Sequence, residues 1–174
     1  MARISFLEKG QAAPQMRERF QKMEDIGFRI LNLYKVMAYC PEVGLNFLRL
    51  GNAILFKGIV PPNLRELAIL RVGNIYQAKY EVTQHIPIAL RTGLRQEQID
   101  DLPNWESSGK FSQQERAVMR YTDEVTKNIR VKEDTFAAVR SFLSEEGIVE
   151  LTTVIGYYGM VCRILEALQI ELES

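Results

Sequence analysis

Residues 63–99 read NLRELAILRVGNIYQAKYEVTQHIPIALRTGLRQEQI. Leu64, Leu67, Ile69, Leu70 and Ile75 recur at helical spacing, which predicts a helix through LRELAILRVGNIY. Asn63 is placed to cap it, and Glu66 three residues later resembles the second half of a capping box. Gly73 either loosens this helix or lets another element approach closely. A second helix carries KYEVTQH, residues 79–85, and stops near Gly93, a residue suited to a helix C-terminus. LRQEQIDDL reads as a short further helix.

The chain's single histidine, His85, lies in this stretch. Glu81 precedes it by four residues, so a helix puts both on one face, one turn apart. Glu66 lies on the preceding helix and faces the same cleft if the two helices form an antiparallel hairpin. Two carboxylates and an imidazole suit proton transfer, because histidine titrates near neutral pH. The same three groups also suit a metal ion. The blander alternative is a surface Glu81–His85 pair worth about 0.2–0.5 kcal/mol, with Glu66 capping its own helix. Tyr80 starts about 100° round the helix from Glu81 and points elsewhere or toward a neighbouring subunit. Tyr76 and Tyr80 both suit packing. Pro87 removes a helix hydrogen bond and is expected to kink the site helix.

The rest of the chain is helical in pattern. FRILNLYKVMAYC places Ile30, Leu33, Tyr34 and Met37 on one stripe, and Pro41 stops that helix or starts the next. VGLNFLRLGNAILF follows, with Gly51 as a weak point, before the break at GIVPPN. PNWESSGK reads as a loop. Ser112 and Glu115 form a capping box that opens a helix through RAVMRYTDEVTK. KEDTFAAVRSFL is amphipathic, and Gly147 separates it from the apolar segment IVELTTVIGYYGMVCRILEALQI. There Val149, Thr153, Gly156 and Met160 share a face, and Gly156 and Gly159 suit close helix packing. The pattern predicts an all-α single domain over residues 1–174 with about seven or eight helices.

The 174 residues suffice for a core without disulfide or metal staples. Basic and acidic residues balance at 22 each, which argues against a nucleic-acid binder relying on bulk charge. Cys40 and Cys162 form no Cys-x-x-Cys pair and read as reduced core thiols. The segment MARISFLEKGQ lacks an apolar signal-peptide core, and no apolar run approaches the roughly 18 residues that span a bilayer. The expectation is a soluble, cytoplasmic protein with neither nucleic-acid nor membrane partners.

RELAILRV, then an aromatic–Glu pair ahead of Gln-His, then IALRTGL and a short acidic helix form an ordered combination. It resembles the core of the carboxymuconolactone decarboxylase and alkylhydroperoxidase D-like superfamily, over roughly residues 60 to 102. FSQQERAVMRYTDEVT and VELTTVIGYYGMVCRILEALQIEL resemble the family's second half. The resemblance implies an all-helical bundle and a homotrimer or homohexamer. It also implies a cleft around the histidine helix near a subunit interface, which would make the C-terminal helix an assembly surface.

The peroxidase branch of that family carries Cys-x-x-Cys-x-x-x-His and a glutamate on the preceding helix. His85 and Glu66 match the histidine and glutamate, but Ala78 and Glu81 occupy the cysteine positions. Cys40 and Cys162 lie outside the motif. Peroxide reduction needs a thiolate nucleophile, so peroxiredoxin activity applies here only as a family-level label. The decarboxylase branch lacks the thiol pair. It implies a lyase acting on a small lactone or carboxylic acid, with His85, Glu81 and Glu66 catalytic. Arg71, Lys79 and Tyr80 are then the substrate-binding candidates, and no cofactor is expected. A thiol peroxidase, a metal-dependent variant and a non-catalytic oligomeric binder of small ligands are the alternatives.

Overall fold

The computed structural model describes residues 2–173. Its elements are helical, without strands among the described residues. Nine α-helices occur there: α1 (Pro14–Asp25), α2 (Asn32–Met37), α3 (Pro41–Lys57), α4 (Pro62–Ile75), α5 (Lys79–Arg91), α6 (Gln96–Asp101), α7 (Gln113–Asn128), α8 (Glu133–Arg140) and α9 (Glu145–Leu168). Seven of these have eight residues or more, and α2 and α6 have six each. The chain divides into two compact units, one running up to Lys57 and resuming at Leu165, the other spanning Gly58–Ile164.

In the first unit, α1 is a helix that the apolar pattern did not announce, because half of its residues are charged. Met16, Phe20 and Met23 are its buried residues, spaced as one helical stripe. The stripe expected from residue 28 is helical only from Asn32. The chain turns at Gly27, with φ +77°, and Leu31 is still extended. Pro41 opens α3 as expected. Gly51 is buried within α3 and does not interrupt it.

In the second unit, α4 packs against both α5 and α7. Leu67, Leu70, Ala89, Leu94, Ile99, Leu102, Trp105, Phe111 and Met119 form one core cluster there. Trp105 belongs to it although its segment reads as loop, since a short 3₁₀ turn at Leu102–Asn104 folds the indole inward. The Ser112 capping box forms as expected: Glu115 N–H donates to Ser112 Oγ, and Ser112 N–H donates to Glu115 Oε2 at 2.7 Å. Gly93, with φ +99°, ends α5.

α9 corrects the expectation about apolar length. Its 24 residues are long and apolar enough to cross a membrane, because Glu150 and Arg163 interrupt the run in sequence but not the helix. Of that apolar stretch 56% is buried, which marks a core helix. Gly147 lies inside its first turn rather than before it. The face bearing Val149, Thr153, Gly156 and Met160 is exposed, with Val149 at 66%. A Cβ added at Gly156 would meet nothing within 4 Å, so no described residue uses that glycine for close packing. At Gly159 it would come within 3.2 Å of Arg163.

Candidate functional site

α4 starts two residues earlier than the capping reading requires. Pro61 is its N-cap and Pro62 its first residue, since proline suits a first turn. Asn63 is therefore inside the helix, and Glu66 is not engaged in a capping box. Every residue from Leu64 to Gly73 is buried, including the charged Arg65, Glu66 and Arg71. A buried charge is costly unless paired, so each of these three side chains poses a question of partners.

Arg71 answers it fully. Its Nε and Nη2 donate to the two oxygens of Asp123 on α7, Nη2 at 2.7 Å, and Nη1 donates to the Leu102 carbonyl at 3.0 Å. Arg71 and Lys127 hold the Asp123 carboxyl below its ordinary range, against the opposing effect of its burial. Arg71 thus ties α4 to α7. The structure does not bring it to the histidine.

Glu66 answers it through the α4–α5 hairpin. Tyr76, Gln77 and Ala78 make the turn, with Gln77 at φ 55°. Gly73 lets α5 come close: a Cβ there would lie 2.9 Å from Val82 Cγ2. His85 then reaches Glu66, with Nδ1 2.8 Å from Oε2. On the other side of the ring, Nε2 lies 3.1 Å from Glu81 Oε1, as the four-residue spacing predicts. Glu66 is 0% exposed, Glu81 3% and His85 6%, so this is no surface pair. α5 continues through Pro87 to Arg91.

The imidazole is held between two carboxylates. Burial pulls its pKa down, but the bonds to Glu66 and Glu81 and their charges outweigh that, raising it to about 9. At neutral pH His85 is a cation donating from both nitrogens, with neither lone pair free for a metal. Among the described residues no group of three or more His, Cys, Asp or Glu is placed to hold a metal ion. The Tyr158 ring of α9 stands edge-on to the imidazole, centroids 4.9 Å apart. Tyr80 is buried and Lys79 exposed.

Sequence reasoning missed Arg65 and Tyr158. Arg65 was legible in principle, as a cation embedded in an otherwise apolar run. Tyr158 was not, because its approach to His85 spans more than seventy residues of chain and no local period encodes it. Two cavities in this unit, of about 300 and 470 Å³, are lined by residues other than the cluster, chiefly of α7, α8 and α9.

The carboxymuconolactone decarboxylase family model matches residues 41–124, which span α3 to α6 and most of α7. In structure, the chain is similar to an alkylhydroperoxidase AhpD core, an uncharacterized peroxidase-related protein from Ralstonia eutropha. The TM-score is 0.86, with 19% identity, covering 99% of this chain and 93% of that one. Residues 41–124 thus match the carboxymuconolactone decarboxylase family, and the chain has the fold of the AhpD-like structures. A protein of unknown function from Agrobacterium tumefaciens, with a suggested role as the antioxidant defence protein AhpD, is 26% identical. The match has a TM-score of 0.72 and covers 78% of this chain and 94% of that one. The debrominase Bmp8 in complex with 2,3,4-tribromopyrrole matches at a TM-score of 0.80 and 20% identity, covering 100% of this chain and 95% of that one. No curated protein matches in sequence. Against the superfamily's thiol motif, Ala78 is a fully buried methyl ahead of α5, and Glu81 is the carboxylate that holds Nε2 of His85. Cys162 is buried on α9 as expected of a core thiol, whereas Cys40 is exposed, and the two form no disulfide.

Proposed function

We propose that the protein is an enzyme that decarboxylates or isomerises a small lactone or carboxylic acid by acid–base chemistry at His85, Glu81 and Glu66. The observation that carries this reading is the buried imidazole held between two carboxylates at 2.8 and 3.1 Å, an arrangement that raises its pKa to about 9. In the decarboxylation, the bond to the carboxylate carbon breaks and carbon dioxide leaves. The electron pair enters the conjugated lactone as a dienolate. His85 delivers a proton to its carbon, Glu66 and Glu81 stabilise the ring before and after, and solvent returns the proton. For isomerisation, one carboxylate takes a proton from carbon and His85 returns one.

Supporting the small-molecule reading, a protein of the same fold binds a tribromopyrrole. The exposed face of α9 at Val149, Thr153, Gly156 and Met160 supports assembly into a homotrimer or homohexamer. The reading carries a cytoplasmic location and no cofactor. A peroxidase is disfavoured because alanine and glutamate fill the thiol positions.

The test is release of carbon dioxide from a set of carboxylated five-membered lactones. Wild-type protein is expected to turn over at least one of them, and His85→Gln to lose that turnover while keeping its helical spectrum and assembly state. Undiminished turnover in a folded His85→Gln variant would refute the mechanism. Binding of a lactone without conversion by wild type would favour the non-catalytic binder.

A further inference from the structure

Arg65 is more than nine-tenths buried, and its guanidinium stays charged at every accessible pH. Its ionic neighbour is Glu66 Oε1, 3.6 Å from Nε, too far for a hydrogen bond. Both of those atoms are shut from solvent without a hydrogen-bond partner. Adjacent residues on a helix diverge by about 100°, which sets the two head-groups poorly for a hydrogen bond. Six residues further along the same helix, Arg71 shows a satisfied guanidinium, with an acid in its fork and a carbonyl on its third nitrogen. The Arg65 fork has no such acid.

We infer that Arg65 is the receptor for the substrate's carboxylate and holds it beside the Glu66–His85 pair. The assignment rests on the acid–base reading above for the location of the chemistry. A guanidinium fork matches a carboxylate with two parallel donors, and in a desolvated setting that match discriminates strongly against a neutral group. Position follows from Glu66, whose Oε1 faces Arg65 while its Oε2 holds His85. A carboxylate on Arg65 is thus one glutamate head-group away from the imidazole proton. It also meets the negative charge of Glu66, a repulsion that departure of carbon dioxide relieves. Arg71, occupied by Asp123, and Lys79, exposed to water, offer no comparable dry cation.

The test uses two probes with the whole protein: γ-butyrolactone-γ-carboxylate and its neutral carboxamide. Calorimetry gives affinity, and the imidazole proton resonances of the single histidine report proximity. Wild type is expected to prefer the carboxylate, which shifts the His85 resonances. Arg65→Gln is expected to weaken the carboxylate about 10–100-fold, leave the amide unchanged and abolish the shift. Arg65→Lys, which keeps the charge and loses the fork, is expected to fall between. It also carries the test if Arg65→Gln fails to fold. A carboxylate preference that survives in Arg65→Gln, an unaltered affinity in Arg65→Lys, or a wild-type protein that does not favour the carboxylate overturns the assignment. The two readings fail separately. Arg65-dependent binding without turnover leaves the receptor standing and removes the decarboxylase. Turnover with unchanged KM in Arg65→Gln does the reverse.

Discussion

Arg71 and Glu66 lie five residues apart on α4, both buried, and the helix treats them differently. At Arg71 each guanidinium nitrogen meets an acceptor fixed by another element, and the result is a lock between α4 and α7. Around Glu66 the groups form a chain with open valences: Arg65, Glu66, His85 and Glu81, each within reach of the next but not all satisfied. A closed ion pair binds the fold together and has nothing to offer a ligand. An open chain costs stability and leaves a proton and a cation available.

The largest expected effect is on turnover. His85→Gln should lower it by about 100- to 10,000-fold, the usual contribution of a positioned acid–base group, in the lactone carbon dioxide assay. Asp123→Ala should leave turnover per folded molecule nearly unchanged. It should cost about 3 kcal/mol of stability in urea unfolding, because it strands the Arg71 guanidinium. Equal stability in wild type and Asp123→Ala would show that Arg71 is no lock.

The stability of the open chain should depend on pH with a definite sign. His85 has a folded pKa near 9, raised from an ordinary 6.5. Its contribution, about 3 kcal/mol, is fully present below pH 6.5 and is lost as pH rises through 9. Urea midpoints measured across that window should fall, and His85→Gln should remove the slope. A wild-type midpoint that is flat or rises over this range contradicts the assignment of charge. Arg65→Met should shift stability by less than about 1 kcal/mol, since replacing a cation whose ionic contact to Glu66 is long with an apolar chain removes a desolvation cost along with a weak attraction. Ser112→Ala, far from both sites, should cost about 1 kcal/mol by loss of the helix cap.

Much of this was legible in the sequence. The helical period gave α4, α5, α7 and α8, the capping box gave the start of α7, and the i, i+4 spacing gave the Glu81–His85 bond. Glu66 was placed correctly opposite His85 only on condition of a hairpin. Gly73, which makes that hairpin tight, was visible as a glycine but not as a contact. Two features escaped: α1 has too few apolar residues to show a strong period, and the partner that takes Arg71 away from the site, Asp123, lies fifty-two residues away. Nearness in sequence to the histidine was a poor guide to which cation serves the site. The extent of pairing was the better guide.

An NMR pH titration of the imidazole decides whether His85 is a cation held by two buried carboxylates. With a single histidine in the chain, assignment is unambiguous. The account predicts a midpoint near 9 in wild type, falling in Glu66→Gln and again in Glu81→Gln. A midpoint near the free value of about 6.5, unmoved by either substitution, would contradict it and dissolve the proposed site.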